Sequence, residues 1–399
     1  MPKLRFKRED GTDFPEWNKN KWSGLGDFIG SGTLSKSDLS DTGTPCILYG
    51  ELYTKYGEVA HTIYSKTSAE THTFSKADDV ILPKSGETPE DISTATCVPY
   101  DNISLGGDLI VFRHNERVIG AYLSYLISNK AKNAIASIAQ GKSIVHINEK
   151  SLSNIELPYP EIEEQQKIAD FLSNVDEVIA QSEAEVANLQ QQKKAAMQKI
   201  FSQEVRFKRE DGTSYPEWEN VKFGSLIKEY RDRTSIENED VLLSSAISGM
   251  FLNTELFGHQ RGKSNIGYLK INYGTLILSA QNLHLGNANV NLRFEHGIIS
   301  PAYKTYHITN CNLYFMAQWI KREKTNQFFY NATTVGASQC RRNVDWNALY
   351  KQSILIPHLE EQQKIADFLA TYDEAISCAK QELDKWKELK KGLLQQMFA

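Results

Sequence analysis

The 399-residue chain has little cysteine, and what it has is scattered. Cys46, Cys97, Cys311, Cys340 and Cys378 are odd in number and far apart, with no CxxC pair and no histidine at zinc-ligand spacing. That excludes a disulfide framework or a zinc finger and leaves free thiols in a reducing compartment as the expectation. Long hydrophobic runs are also missing. The densest, such as Leu109 to Phe112, are strand-sized, far from the roughly 20 apolar residues a membrane span needs. The segment Met1 to Asp10 is charged and lacks the apolar core of a signal peptide, so the expected location is cytoplasmic, with no membrane partner. Basic excess is absent too, since the formal net charge is −5. The average hides a division: the balance is −2 over 1–155, −5 over 156–201, +4 over 202–353 and −2 over 354–399. The acid excess lies mainly in two helical segments, so a basic nucleic-acid face on the rest is not excluded.

Catalytic motifs are lacking as well. Gly24-Leu25-Gly26 with Gly30 and Gly32 misses the spacing of a dinucleotide loop and reads as a turn. The Gly-Lys-Ser triplets at Gly141 and Gly262 have Ala136 and Phe257 where a phosphate-binding loop needs glycine. No Asn/Asp-Pro-Pro-aromatic run provides the pocket of a base-flipping adenine methyltransferase. Neither Gly-x-Ser-x-Gly nor HExxH occurs. Asp78, Asp79 and Lys84 fall in one loop-like stretch without an acidic partner on a strand, which is a poor nuclease set. The expectation is a binding protein with no catalytic residue, no metal and no cofactor of its own.

Repetition is what the chain does have. EEQQKIADFL runs from Glu163 to Leu172 and again from Glu360 to Leu369, and RFKREDGT runs from Arg5 to Thr12 and again from Arg206 to Thr213. The tags continue as GTDFPEW, ending at Trp17, and GTSYPEW, ending at Trp218. Between tag and helix, Asn18 to Ile162 and Glu219 to Leu359 are similar in length and share little beyond pattern. One architecture has been used twice with its middle exchanged. Constant parts should face something constant, and variable parts something variable.

Stepping by four and three from Ile168 gives Leu172, Val175, Ile179, Val186 and Leu189. From Ile365 the same steps give Leu369, Tyr372, Ile376, Leu383 and Trp386. This is a coiled-coil seam, interrupted by Lys193 and Lys390 at equivalent places. Each helix, led by Pro160 or Pro357, should span about 40 residues and roughly 60 Å. A seam does not dictate the polar part of the repeat. Recent duplication could preserve it, or each copy presents one outer face to a copy of one partner. On the second reading Glu164, Gln165, Lys167 and Asp170, with Glu361, Gln362, Lys364 and Asp367, are candidates for partner docking.

The variable halves read as mixed structure. Strand-like pieces at Asp108 to Phe112 and Gly274 to Leu278 alternate with turns and with helical stretches at Ala121 to Ala139 and Asn312 to Phe329. A Gly-rich polar loop follows each helical stretch, at Gln140 to Ser143 and at Gly336 to Arg342. Arg or Lys can bridge guanine O6 and N7, Asn or Gln can bridge adenine N6 and N7, and serine can hold phosphate. Lys142, Ser143, His146, Gln339, Arg341 and Arg342 are the first DNA-binding candidates, with Arg261, Lys263, Gln281 and Asn282 behind them. A solvated polar loop is the competing reading for each.

Taken together, variable domain, EEQQKIADFL helix, variable domain and EEQQKIADFL helix resemble the specificity subunits of type I restriction-modification systems. The apolar, Pro-ending lead-ins Ile155 to Pro160 and Ile354 to Pro357, and the segment Gly297 to Tyr303, add to the resemblance. It implies an α+β fold: two similar mixed α/β target-recognition domains separated by two long antiparallel coiled-coil helices, with a pseudo-two-fold internal repeat. The boundaries would be 1–155 and 205–353 for the recognition domains and 156–204 and 354–399 for the spacer helices. It also implies a non-catalytic subunit that reads a bipartite, asymmetric site in double-stranded DNA. Two modification subunits and the restriction subunits would bring S-adenosylmethionine, ATP and Mg. The alternative is a duplicated coiled-coil scaffold joining two protein-binding domains without a DNA role, which predicts no salt-dependent DNA binding. A self-sufficient DNA-modifying enzyme is disfavoured by the missing motifs.

Overall fold

The computed structural model describes residues 2–141, 143–258, 264–338 and 341–398, with the side chains of 335–338 and 341 outside the description. Its helices are α1 (Gly120–Asn129), α2 (Lys132–Ile138), α3 (Glu149–Leu152), α4 (Ile162–Phe201), α5 (Asn253–Phe257), α6 (Leu313–Ile320), α7 (Glu323–Asn331), α8 (Trp346–Lys351) and α9 (Leu359–Phe398). The chain forms two compact units, Met1–Glu185 with Lys380–Ala399, and Val186–Ala379.

In the first unit Leu109–His114 lies inside an antiparallel sheet of order Gly26–Ile29, Leu109–His114, Asp79–Pro83, Thr96–Val98. Its apolar run is continuous because both faces of the sheet are covered. Ile110 and Phe112 join a cluster with Tyr122 and Leu126 of α1, while Leu109 and Val111 join another with Ile47, Leu52 and Ala60. Alternate side chains of a strand point to opposite faces, so two cores need apolar residues at every position.

The second unit repeats the plan with different residues. Its sheet has the order Ile227–Tyr230, Tyr303–Ile308, Leu276–Ser279, Ala288–Val290, all antiparallel. Leu276 and Leu278 face a cluster with Phe315 and Trp319 of α6, and Ile277 faces another with Leu243 and Ile271. In each unit the segment after the PEW tag pairs with the lead-in to the long helix: Asn18–Lys21 with Glu156–Tyr159, and Glu219–Lys222 with Ser353–Ile356.

The long helices have 40 residues each, as the periodicity predicts. Within the first unit they run antiparallel. Glu183, Asp176 and then Ile168 of α4 descend as Lys387, Lys390 and then Phe398 of α9 ascend. The second unit shows the same sense, with Lys193 on Asp373 and Ile200 in one cluster with Ile365 and Leu369. Every expected seam position is buried or half-buried. Ile168, Leu172, Ile365 and Leu369 also belong to the cores against the sheets, so the seam ends inside the globular parts.

Three local expectations change. Each single helical stretch is two helices, broken between α1 and α2 and between α6 and α7, because the chain must turn for Ile135 or Phe329 to reach the core its predecessor occupies. The described residues of the polar stretch Gly336 to Arg342 lie on two paired strands, Thr333–Ser338 and Arg341–Val344, whose register shifts between Val335 and Ser338. Thr333, Thr334 and Val344 supply β-branched side chains that favour extended backbone. Asp79 lies on a strand, not in a loop, and ion-pairs with Arg113 at 2.6 Å.

Candidate nucleic-acid interface and helix starts

The polar repeat is anchored inside each unit. Arg5 of the first tag grips Glu164 with two bonds, Nε to Oε1 at 3.0 Å and Nη2 to Oε2 at 2.6 Å. Arg206 grips Glu361 in the same way at 3.2 and 2.8 Å. Both carboxylates are 0% exposed. Gln165 donates to the carbonyls of Arg117 at 2.8 Å and Pro160 at 2.9 Å and accepts from the Ile119 amide, which caps α1. Gln362 donates to the Pro357 carbonyl at 2.8 Å and accepts from the amide of Asn312, the cap of α6. Lys167 and Lys364 donate to the tag carbonyls of Lys7 and Lys208 at 3.0 and 2.8 Å.

Four of the eight docking candidates, Glu164, Gln165, Glu361 and Gln362, are therefore buried and occupied by their own unit. Their identity in the two copies has an internal reason: they join tag, long helix and the helix that packs on the sheet, α1 or α6. Asp170 and Asp367 remain exposed, with Lys167 and Lys364 half-exposed. Beside them stand Phe171 and Phe368, each 37% exposed and edge-on to Phe6 or Phe207 of the tag. These phenylalanines escaped the sequence reading because they lie outside the seam. Their place in the identical string was the available signal.

Of the described base-reading candidates, Ser143 and His146 follow α2 and Arg342 follows α7, whereas Gln281 and Asn282 come before α6 in the chain. In the first unit Ser143 and His146 are exposed, and His146 pairs by its backbone with Gln140 and Ser85. Gly141, at φ +135°, makes the turn: a Cβ there would fall 1.9 Å from the Ile144 carbonyl oxygen. In the second unit Gln281 and Asn282 are exposed at the 3₁₀ turn Leu283–Leu285, which packs on α7. Arg342 is held back by Thr333, donating to its hydroxyl at 2.7 Å and its carbonyl at 3.0 Å, and lies over the Tyr330 ring. His284 adjoins this cluster. Burial, and then the Arg342 charge, push its pKa down, and its Nδ1 has no hydrogen-bond partner among the described residues. Lys142, Arg261, Lys263 and Gln339 lie outside the described residues, as does the Arg341 side chain. Thus Gln281, Asn282, His284 and Arg342 form one polar corner, and Ser143 and His146 another.

Among the described residues no group of three His, Cys, Asp or Glu side chains could hold a metal ion, and no helix is long and apolar enough to cross a membrane. Asp78, His114 and Cys97 do meet, but Cys97 is buried, and burial, with Asp78 second, drives its thiol pKa up, away from a nucleophile.

The arrangement matches known proteins. The model for the type I restriction modification DNA specificity domain matches twice, over residues 15–191 and 182–387. The type I restriction enzyme MjaVIII specificity subunit of Methanocaldococcus jannaschii is 25% identical over 298 residues, 68% of each chain. The putative MjaX specificity subunit of the same organism is 25% identical over 311 residues, 72% of this chain and 70% of that one. The crystal structure of a type I restriction-modification S subunit from M. genitalium shares the fold at a TM-score of 0.62 and 15% identity, covering 100% of this chain and 99% of that one. A chain from a structure on complex assembly and conformational transition of the type I R-M system shares it at 0.54 and 15%, covering 96% and 98%. Two matched domains, a fold built twice and two antiparallel repeated helices agree, so this chain belongs to the type I restriction-modification DNA specificity family, the subunit that determines the DNA target and leaves methylation and cleavage to its modification and restriction partners.

Proposed function

We propose that the chain reads a bipartite, asymmetric site in duplex DNA, one half with each variable part. The observation that carries this is the same four-stranded sheet built twice, each time with its own polar corner, after α2 in one variable part and beside α7 in the other. Ser143 and His146, with Lys142, serve one half-site. Gln281, Asn282, Arg341 and Arg342, with Arg261, Lys263 and Gln339, serve the other. The 1–155 and 205–353 segments are then the recognition domains, and 156–204 and 354–399 carry spacer and docking functions.

Two modification subunits dock on the repeated helix starts, where Asp170 with Phe171 and Asp367 with Phe368 offer the same mixed surface twice. Restriction subunits join them, and S-adenosylmethionine, ATP and Mg belong to those partners. The chain itself carries no cofactor and works in the cytoplasm.

The test is methylome sequencing of cells expressing the chain with its modification subunit. Ser143→Ala with His146→Ala is expected to relax one half-site, and Gln281→Ala with Asn282→Ala the other, each by about 1–3 kcal/mol of discrimination. Methylation at unaltered sites in both double variants would refute the assignment of these corners.

A further inference from the structure

The second unit contains a groove of about 1420 Å³ between the last turns of α4 and the α6–α7 bend. Met197, Phe201 and Leu292 form an apolar floor, and Lys199, Lys321 and Arg322 stand around it. Lys321 Nζ donates to the Ile247 carbonyl at 2.7 Å. The Arg322 guanidinium lies 4.5 Å from the Phe201 ring centre, and its Nε makes only long bonds, 3.3 Å to the Trp319 carbonyl and 3.4 Å to the Thr325 hydroxyl. Among the described residues neither cation has a carboxylate within ion-pair distance. Burial pushes the Arg322 pKa down to about 10, with no opposing charge to offset it; Lys321 keeps solvent exposure, yet the groove wall around it lowers its pKa to about 8.

The first unit shows what fills the equivalent corner there. Tyr122 meets Phe398 as Phe315 meets Phe201, and Tyr125 bonds Asp176 as Gln318 bonds Asp373. Ser128 and Asn129 thus stand where the second unit has Lys321 and Arg322. Ser128 closes the corner by bonding both the amide and the carbonyl of Ala95. Glu58 sets its carboxylate 2.7 Å from Lys390, the counterpart of Lys193. Beyond the aspartate common to both corners, the first unit adds the acid Glu58; the second adds two cations instead, with Glu204 and Glu323 elsewhere on the groove lining.

We propose that this groove seats an acidic, amphipathic segment of a partner protein, whose carboxylates pair with Lys321 and Arg322 while its apolar side chains cover Met197, Phe201 and Leu292. A nucleic-acid backbone fits less well, because phosphates gain nothing from an apolar floor and the group at the matching position of the first unit is a carboxylate. The site is independent of the base-reading corners.

The test uses the full chain with three fluorescent probes: a short leucine–glutamate amphipathic peptide, its leucine–glutamine twin, and duplex DNA. The glutamate peptide is expected to bind about tenfold or more tighter than the glutamine twin and to lose about tenfold in the Lys321→Ala, Arg322→Gln double variant. Ala195→Trp, on the exposed α4 wall of the groove, is expected to weaken the peptide without removing a cation, and so decides the matter if the double variant folds poorly. Equal binding of the two peptides, or full binding by Ala195→Trp, overturns the proposal. So does a double variant that loses DNA but keeps the peptide, which makes the groove a phosphate site. Concentration-dependent self-association abolished by Ala195→Trp would replace the partner with a second copy of the chain.

Discussion

Lys193 of α4 lies 2.6 Å from Asp373 of α9, and Lys390 of α9 lies 2.6 Å from Asp176 of α4. These are the residues that interrupt the two seams, each paired with the aspartate the repeat places at the matching point of the other helix. Polar pairs in an apolar seam fix register and orientation, because any slip strands a charge. The two lysines are equally enclosed, but Lys390 is the more fully paired: it also meets Glu58 at 2.7 Å and faces the Tyr125 ring, and both its acids are largely buried, whereas the Asp373 partner of Lys193 is 49% exposed. Lys390→Met is therefore expected to cost about 1.5–3 kcal/mol, the worth of charged hydrogen bonds left unmade. Lys193→Met should cost only about 0.2–1 kcal/mol. Urea unfolding of the two variants measures the difference, and equal losses would contradict the asymmetry.

The tag clamps predict a larger effect. Arg5→Ala leaves the fully buried Glu164 carboxylate without its bidentate partner and is expected to cost about 3–5 kcal/mol. Arg5→Leu combined with Glu164→Leu removes both charges and should recover most of that loss. The same cycle on Arg206 and Glu361 is expected to match it, because the geometry repeats. Denaturant midpoints for the single and paired variants are the measurement.

Stability of the first unit should depend on pH through His114. Its Nε2 is 2.8 Å from Asp78 and its Nδ1 is 2.9 Å from the Asn115 carbonyl, so two acceptors favour the doubly protonated ring. Burial opposes that charge, but the Asp78 and Asn115 bonds outweigh it and raise the His114 pKa above its ordinary 6.5. Burial likewise opposes ionised Asp78, yet the His114 bond, followed by those from Gly120 and Cys97, holds its pKa below 3.8. The His114 contribution is full below 6.5 and is lost as pH rises through the raised value. That of Asp78 is full above 3.8 and is lost as pH falls through the lowered value. The pair thus stabilises most between these limits. Unfolding midpoints should fall from about pH 5.5 to about pH 8.5, and His114→Gln should flatten that fall.

Helix length should set the gap between the half-sites. Deleting 177–183 from α4 and 374–380 from α9 removes one heptad from each helix while keeping all four residues of the Lys–Asp pairs. Seven residues are about 10 Å of helix, or about three base pairs. Methylome mapping with the modification subunit is expected to show a spacer shorter by about that amount and the same half-sites. An unchanged spacer would end the idea of the helices as a ruler.

Much of the fold was legible because it is carried by period. Ile168, Leu172, Val175 and their counterparts recur every three or four residues, and a helix buries such a stripe wherever it is placed. The strand at Leu109–His114 was legible for a similar reason, as an apolar run bounded by turn residues. The role of Gln165 was not. Its partners, Ile119 and Arg117, lie 46 and 48 residues away, and only the closed core brings them to its amide. Glu164 presents the same difficulty, 159 residues from Arg5. A polar repeat written twice looks the same in sequence whether it faces a partner or its own tag.

By itself, then, the sequence determined the duplication, the two 40-residue helices, their seams and the family they point to, since these depend on identity and spacing along one chain. Tertiary structure decided which repeated polar residues face inward, that the seam lysines pair crosswise with Asp176 and Asp373, and that one variable part closes a corner the other leaves open. Those outcomes depend on burial and on contacts between distant residues, and burial is a property of the packed surface rather than of any segment.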